Sequence, residues 1–179
     1  MALRRENKEN QRTALVGTLL LALAVFIIAY YAITVPTEKS FGERYVDAEI
    51  PLIFPFYVIS SFKPVTLMTY LIFGGTILLL EASGDRLKRL NLRGTRIFLL
   101  LISFAAGYEV IWNFFAWFIT WERAGGLLDL LANTEHHYTQ LPANFNFVTK
   151  ISFLVFALSL YGSLFIEKLE RSNSHTNSS

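Results

Sequence analysis

The sequence predicts an all-α integral membrane protein: a four-helix bundle with both termini on the cytoplasmic side and two long extracytoplasmic loops. Three observations carry that reading. Hydrophobic residues make up 53% of the 179-residue chain and charged residues only 17%, against roughly 25% charged in an average soluble protein. Four apolar stretches are each near the ~20 residues that a helix needs to cross a hydrocarbon core. Lys and Arg gather in the segments that fall on one side of those stretches.

The length fits one domain. A soluble domain of this size has too much surface for its volume to hide so much apolar area, so the excess is expected to face lipid. The chain has no Cys, which excludes disulfides, thiolate metal sites and thiol chemistry. The chain offers no signal for nucleic-acid binding.

Residues 1–13 form a basic N-terminus, with Arg4, Arg5, Lys8 and Arg12 ahead of the first apolar run. That run, 14–35, has 22 residues and no charge. A cleavable signal has an apolar region of roughly 7–15, so an uncleaved signal-anchor helix is expected. It ends at Pro36, which lacks the N–H to continue a helix.

Residues 36–63 form the first outer loop. It opens polar and turns apolar over IPLIFPFYVISSF, where Pro51 and Pro55 interrupt any helix. That run is too broken to span, so it is expected to lie in the interface, dip into it, or pack on a partner. The second span, 64–80, has 17 residues. Ser61 is a candidate cap, and Pro64 suits the first turn, where its missing N–H costs nothing. Glu81, Gly84 and Asp85 mark its expected end, and residues 81–96 form a basic inner loop.

The third span, 97–121, has 25 residues, enough to cross with some tilt. The second outer loop, 122–144, contains GGLLDLLANTEHHY, whose leucines suit a short surface helix. The fourth span, 145–166, carries Lys150 as its one charge and is expected to stop at Glu167 and Lys168. The polar tail, 167–179, reads as a disordered cytoplasmic segment.

This arrangement puts eleven Lys and Arg on the inner side and four on the outer side. The outer loops hold seven acids for a net −3, and the inner segments six for a net +5. A multi-pass protein of the cell membrane with both termini cytoplasmic is the consequence.

Five constellations stand out. Glu109 and Asn113, four apart on the third span, share a face. Glu109 lies 12 residues from each end of that span, roughly 18 Å from either interface. A carboxylate there needs a proton, a partner or a protein surround. Lys150 is the expected partner, forming an intramembrane polar group that clamps helices or, in the alternative, relays a proton or cation. It also has the length to snorkel toward Glu122.

Glu135, His136 and His137 in the second outer loop are candidate metal ligands. Adjacent His side chains diverge on a helix or strand, and no second cluster completes a site, so a solvated loop is the favoured expectation. The aromatic run Tyr108–Trp121 suits lipid-facing and interhelical packing, with an apolar ligand pocket as the alternative. Small residues at Ser103 and Gly107, Ser159 and Ser163, Thr18 and Ala22, and Gly74 and Gly75 suit helix–helix contact. Arg86, Lys88, Arg89 and Arg93 in the inner loop suit anionic lipid head groups.

No phosphate-binding loop, metalloprotease pattern, nucleophile motif or inverted repeat is present in the sequence. The expected role is therefore a non-catalytic accessory subunit of a larger membrane complex, its partners being the bilayer and other integral membrane subunits. The alternatives are a homo-oligomeric channel or small transporter using Glu109, and a membrane enzyme with a metal near Glu135, His136 and His137. No cofactor is indicated. The aromatic-rich third span, YEVIWNFFAWFITWER, and the four-span layout with extended outer loops resemble the small helical accessory subunits of archaeal ammonia monooxygenase complexes. That resemblance implies a copper-dependent membrane oxidase as partner, with the active site in other chains, and assigns no catalytic or copper-binding residue here.

Overall fold

The computed structural model describes residues 2–35, 41–46, 48, 50–54, 57–88, 92–123 and 143–176. They form α1 (Ala2–Thr34), α2 (Phe41–Val46), the strands β1 (Ile50–Phe54) and β2 (Tyr57–Phe62), then α3 (Pro64–Leu87), α4 (Arg93–Arg123) and α5 (Ala143–Thr176). Four helices contain segments long and apolar enough to cross a membrane: Lys8–Thr34, Pro64–Leu87, Arg93–Ile119 and Phe147–Ser172. The four-helix architecture therefore holds, with each of the four helices able to cross a membrane by length and composition.

The helix ends depart from expectation for one physical reason. Hydropathy marks where the hydrocarbon ends, whereas a helix ends where its backbone hydrogen bonds do. α3 runs past Glu81, Gly84 and Asp85 to Leu87, and α4 reaches back to Arg93, inside the expected inner loop. α5 continues through Glu167 and Lys168 to Thr176, so the expected disordered tail is helical over 167–176. Pro64 does occupy the first turn of α3, but the cap is Lys63, with no side-chain capping bond. Ser61 lies instead in β2.

Residues 50–62 pair with themselves as an antiparallel hairpin. Leu52 lies opposite Ile59, Ile53 opposite Val58 and Phe54 opposite Tyr57, and the register slips between Ile50 and Leu52. Pro51 falls at that irregularity, where a missing N–H is tolerated. Pro51, which forbids a helix here, is thus compatible with a short strand pair.

The helices form an open row, α1–α3–α5–α4. α1 packs along α3, α3 and α4 each pack on α5, and α2 sits against α5. Ile27 near the end of α1 meets Val65 and Met68 near the start of α3, and Phe147 and Ile151 of α5 join them around Tyr45. Arg96 at the start of α4 reaches Glu167 late in α5. α1 and α4 therefore run one way, and α3 and α5 the other. The N-terminal part of α1 and the C-terminal part of α5 lie at one end of the bundle.

The α1–α3 crossing is close because two glycines meet there. A Cβ built on Gly17 would fall 2.9 Å from the carbonyl oxygen of Gly75, and one on Gly75 would fall 2.9 Å from that of Gly17. Elsewhere the distribution is the reverse of a soluble protein's. Ser103, Asn113, Ser159 and Ser163 are buried, while Phe104 is 82% and Trp112 60% exposed. Such broad apolar surface in water is an aggregation hazard, whereas in lipid it costs nothing. Thr18 and Ala22 are exposed rather than set against a helix, so on α1 the close-approach residue is their neighbour Gly17.

Candidate functional site

α5 is the central helix: a third of its span is buried, against 11% for α4. The polar groups of the bilayer-spanning region are therefore arranged around α5. Asn113 of α4 is only 5% exposed, and its Nδ2 donates to Glu109 Oε1 at 3.3 Å. That bond follows from the four-residue spacing, which stacks both side chains on one helical face. Glu109 is half-buried, and the residues one turn before and after it on its outer flank, Ala105 and Trp112, are exposed. The carboxylate thus lies at the rim of the α4–α5 interface.

Lys150 joins neither of them. Its Nζ donates to Thr66 Oγ1 on α3 at 2.7 Å. The register between α4 and α5, set by Gly107 against Phe156 and Leu99 against Gly162, places Asn113 level with Lys150. Depth was thus readable from the sequence, but the direction of the side chain was not. The expected clamp between the third and fourth spans becomes a clamp between α3 and α5. Thr66 was missed; its one visible signal was a hydroxyl in the first turn of α3, at the depth of Lys150.

Around this bond lies a cavity of about 340 Å³ between α3, α4 and α5, floored by Phe73, Phe153 and Leu154, with Thr69 and Tyr70 near Thr66. A second cavity of about 440 Å³ continues the same cleft one turn further along, beginning at Thr76 and Leu158 and reaching Thr95 and Ile166. No Asp or Glu lines either among the described residues.

The far end of the bundle carries an ionic network. Arg96 Nη2 lies 2.9 Å from Glu167 Oε2 and its Nη1 3.2 Å from Glu170 Oε2, and Arg171 pairs with Glu167 as well. Tyr161 Oη donates to Glu81 Oε1 at 2.7 Å, tying α5 to α3. These bonds give the charged residues past the apolar runs partners while they remain helical.

Of the lipid-head-group candidates, Arg86 and Arg93 are exposed, and Lys88 pairs with Asp85 at 3.0 Å. Arg89 lies outside the described residues, as do Glu135, His136 and His137. Among the described residues, no group of three His, Asp or Glu side chains gathers as a metal site would require. The aromatic run is outward-facing at Trp112, Phe114, Phe115 and Phe118.

At the opposite end, α2 closes over α1. Tyr45 is fully buried, with its hydroxyl donating to the Ile28 carbonyl at 2.9 Å. Arg44 Nη1 donates to the Ala32 carbonyl at 2.9 Å. Burial pushes the Tyr45 phenol above its ordinary range, with the Arg44 charge opposing that shift.

No protein-family model matches this chain, and comparison with characterised proteins and with solved structures finds no match either.

Proposed function

We propose that this protein is a non-catalytic structural subunit of a larger multi-subunit membrane complex. The observation that carries the reading is Glu109. A carboxylate in the middle of a spanning helix is costly in hydrocarbon, yet among the described residues this one has a single neutral hydrogen-bonding partner, on its own helix, and a flank of exposed residues beside it. A second polypeptide covering that flank supplies the missing polar surround. α4 can receive it, because among the described residues its extended packing is on α5. The excess of Lys and Arg at the end holding Arg96 supports a cytoplasmic location for both termini. The resemblance of the third span to archaeal ammonia monooxygenase accessory subunits makes a membrane copper oxidase the first complex to test.

A photo-crosslinking residue at Trp112, introduced into the full chain in its native membrane, tests this. A crosslink to a different integral membrane polypeptide, in fixed ratio, is expected. Crosslinks to lipid alone refute a covered flank. A crosslink to a second copy of this chain refutes the accessory role and favours the homo-oligomeric channel built on Glu109.

A further inference from the structure

We infer that the cleft between α3 and α4 is a binding site for an anionic phospholipid, its phosphate held by Lys150 and its acyl chain lying along the cleft. Lys150 carries three N–H donors, and among the described residues one is used, on Thr66. The ammonium is half-buried and looks into a cavity whose other walls are almost wholly apolar. Its remaining donors want acceptors, and no carboxylate of this chain lines the cavity among the described residues. Lys63, the residue capping α3, lies one turn before Thr66, whose backbone N–H donates to the Lys63 carbonyl at 2.9 Å. The Lys150 ammonium and the Thr66 hydroxyl thus meet at the mouth of the cavity, with the basic Lys63 one turn away on the chain, a surround complementary to a phosphodiester.

The depth suits a lipid. Lys150 lies three residues inside the start of its span at Phe147, roughly 5 Å along the helix, and Ala157 at the inner end of the cavity is about 10 Å deeper. The head group therefore sits at interface level while the apolar floor runs inward. The cavity of about 340 Å³ falls within the usual range for small-molecule sites, and the second cavity extends the same cleft further. A lipid enters sideways from the bilayer, because among the described residues α3 and α4 each pack on α5 and not along one another. This site is separate from the Arg86 and Lys88 patch, which belongs to the opposite end of α3.

The test is native mass spectrometry of the full chain, stripped of lipid in mild detergent and offered phosphatidylglycerol or phosphatidylcholine. Phosphatidylglycerol should be retained in preference. Lys150→Gln should reduce that retention about fivefold, and Lys150→Arg should preserve it. Ala157→Phe, which fills the cleft and leaves the charge intact, should also reduce it, and decides the matter if Lys150→Gln fails to fold. Arg86→Gln should change nothing. Equal retention of the two lipids, full retention by Lys150→Gln or Ala157→Phe, or a loss that follows Arg86 would overturn the assignment.

Discussion

Gly74 and Gly75 are neighbours in sequence, yet replacing each by Ala should have opposite effects. A Cβ on Gly75 meets the Gly17 carbonyl oxygen at 2.9 Å and Leu21 Cγ at 2.9 Å. Neither distance is tolerable, and one of the atoms is backbone, so α1 must retreat by about 0.5 Å. A retreat of that size forfeits about a quarter of each contact's attraction, and a packed Leu makes about 40–60 contacts of ~0.1–0.2 kcal/mol. One such residue's share, from among Leu20, Leu21, Leu78 and Leu79 at this crossing, comes to roughly 2 kcal/mol. The better helix propensity of Ala returns ~0.5–1 kcal/mol, leaving a net loss of about 1 kcal/mol. A Cβ on Gly74 meets only Leu20 Cδ1, at 3.8 Å, an ordinary contact. Gly74→Ala should therefore keep the propensity gain and stabilise by ~0.5–1 kcal/mol. Reversible unfolding in mixed detergent micelles, followed by Trp fluorescence, reads both variants. Equal effects for the two would show that α1 and α3 do not cross at Gly17 and Gly75.

Tyr45→Phe should destabilise by about 1 kcal/mol, since it removes the hydroxyl that reaches the Ile28 carbonyl. Because burial raises the phenol's pKa, the Tyr45 contribution is complete below pH 10 and lost as pH rises through the elevated folded-state value. Unfolding curves of the Phe variant should lack that alkaline component. Arg96→Gln should weaken the α4–α5 end by about 1 kcal/mol, because it releases Glu167 and Glu170 together. The difference from wild type should shrink in molar salt, since these side chains are about a third exposed. Lys150→Leu should leave membrane insertion intact but loosen α3 from α5, seen as faster amide exchange in the first turns of both helices; unchanged exchange would count against the Thr66 bond as a clamp.

The spans were legible because length and apolarity are local properties, and 14–35 or 97–121 need no neighbour to be recognised. The ends of the helices were not. Glu167 and Lys168 read as stops, yet α5 continues because Arg96, some 70 residues earlier in the chain, supplies Glu167 with a partner. Glu81 is carried inside α3 in the same way, by Tyr161. The hairpin was half legible: Pro51 and Pro55 correctly excluded a spanning helix, but strand pairing depends on a partner segment that the prolines do not name.

For the polar residues, periodicity was enough where both partners share a helix, as with Glu109 and Asn113. It failed for Lys150, whose partner depends on the order of helices in the row. That order puts α5 between α3 and α4, and no span's composition encodes it. The same holds at Thr18 and Ala22, whose small size suits close approach as well as that of Gly17 does. Only the facing carbonyl of Gly75 distinguishes them.

The central claim is that four helices cross the membrane and return the C-terminus to the side of the N-terminus. The chain has no Cys, so single cysteines placed at Lys8, Lys63, Lys88 and Ser172 can be probed in sealed vesicles with a membrane-impermeant thiol reagent. Labelling of positions 8, 88 and 172 from one face and of position 63 from the other is the predicted result. Labelling of positions 8 and 172 from opposite faces, or of all four from a single face, would contradict it.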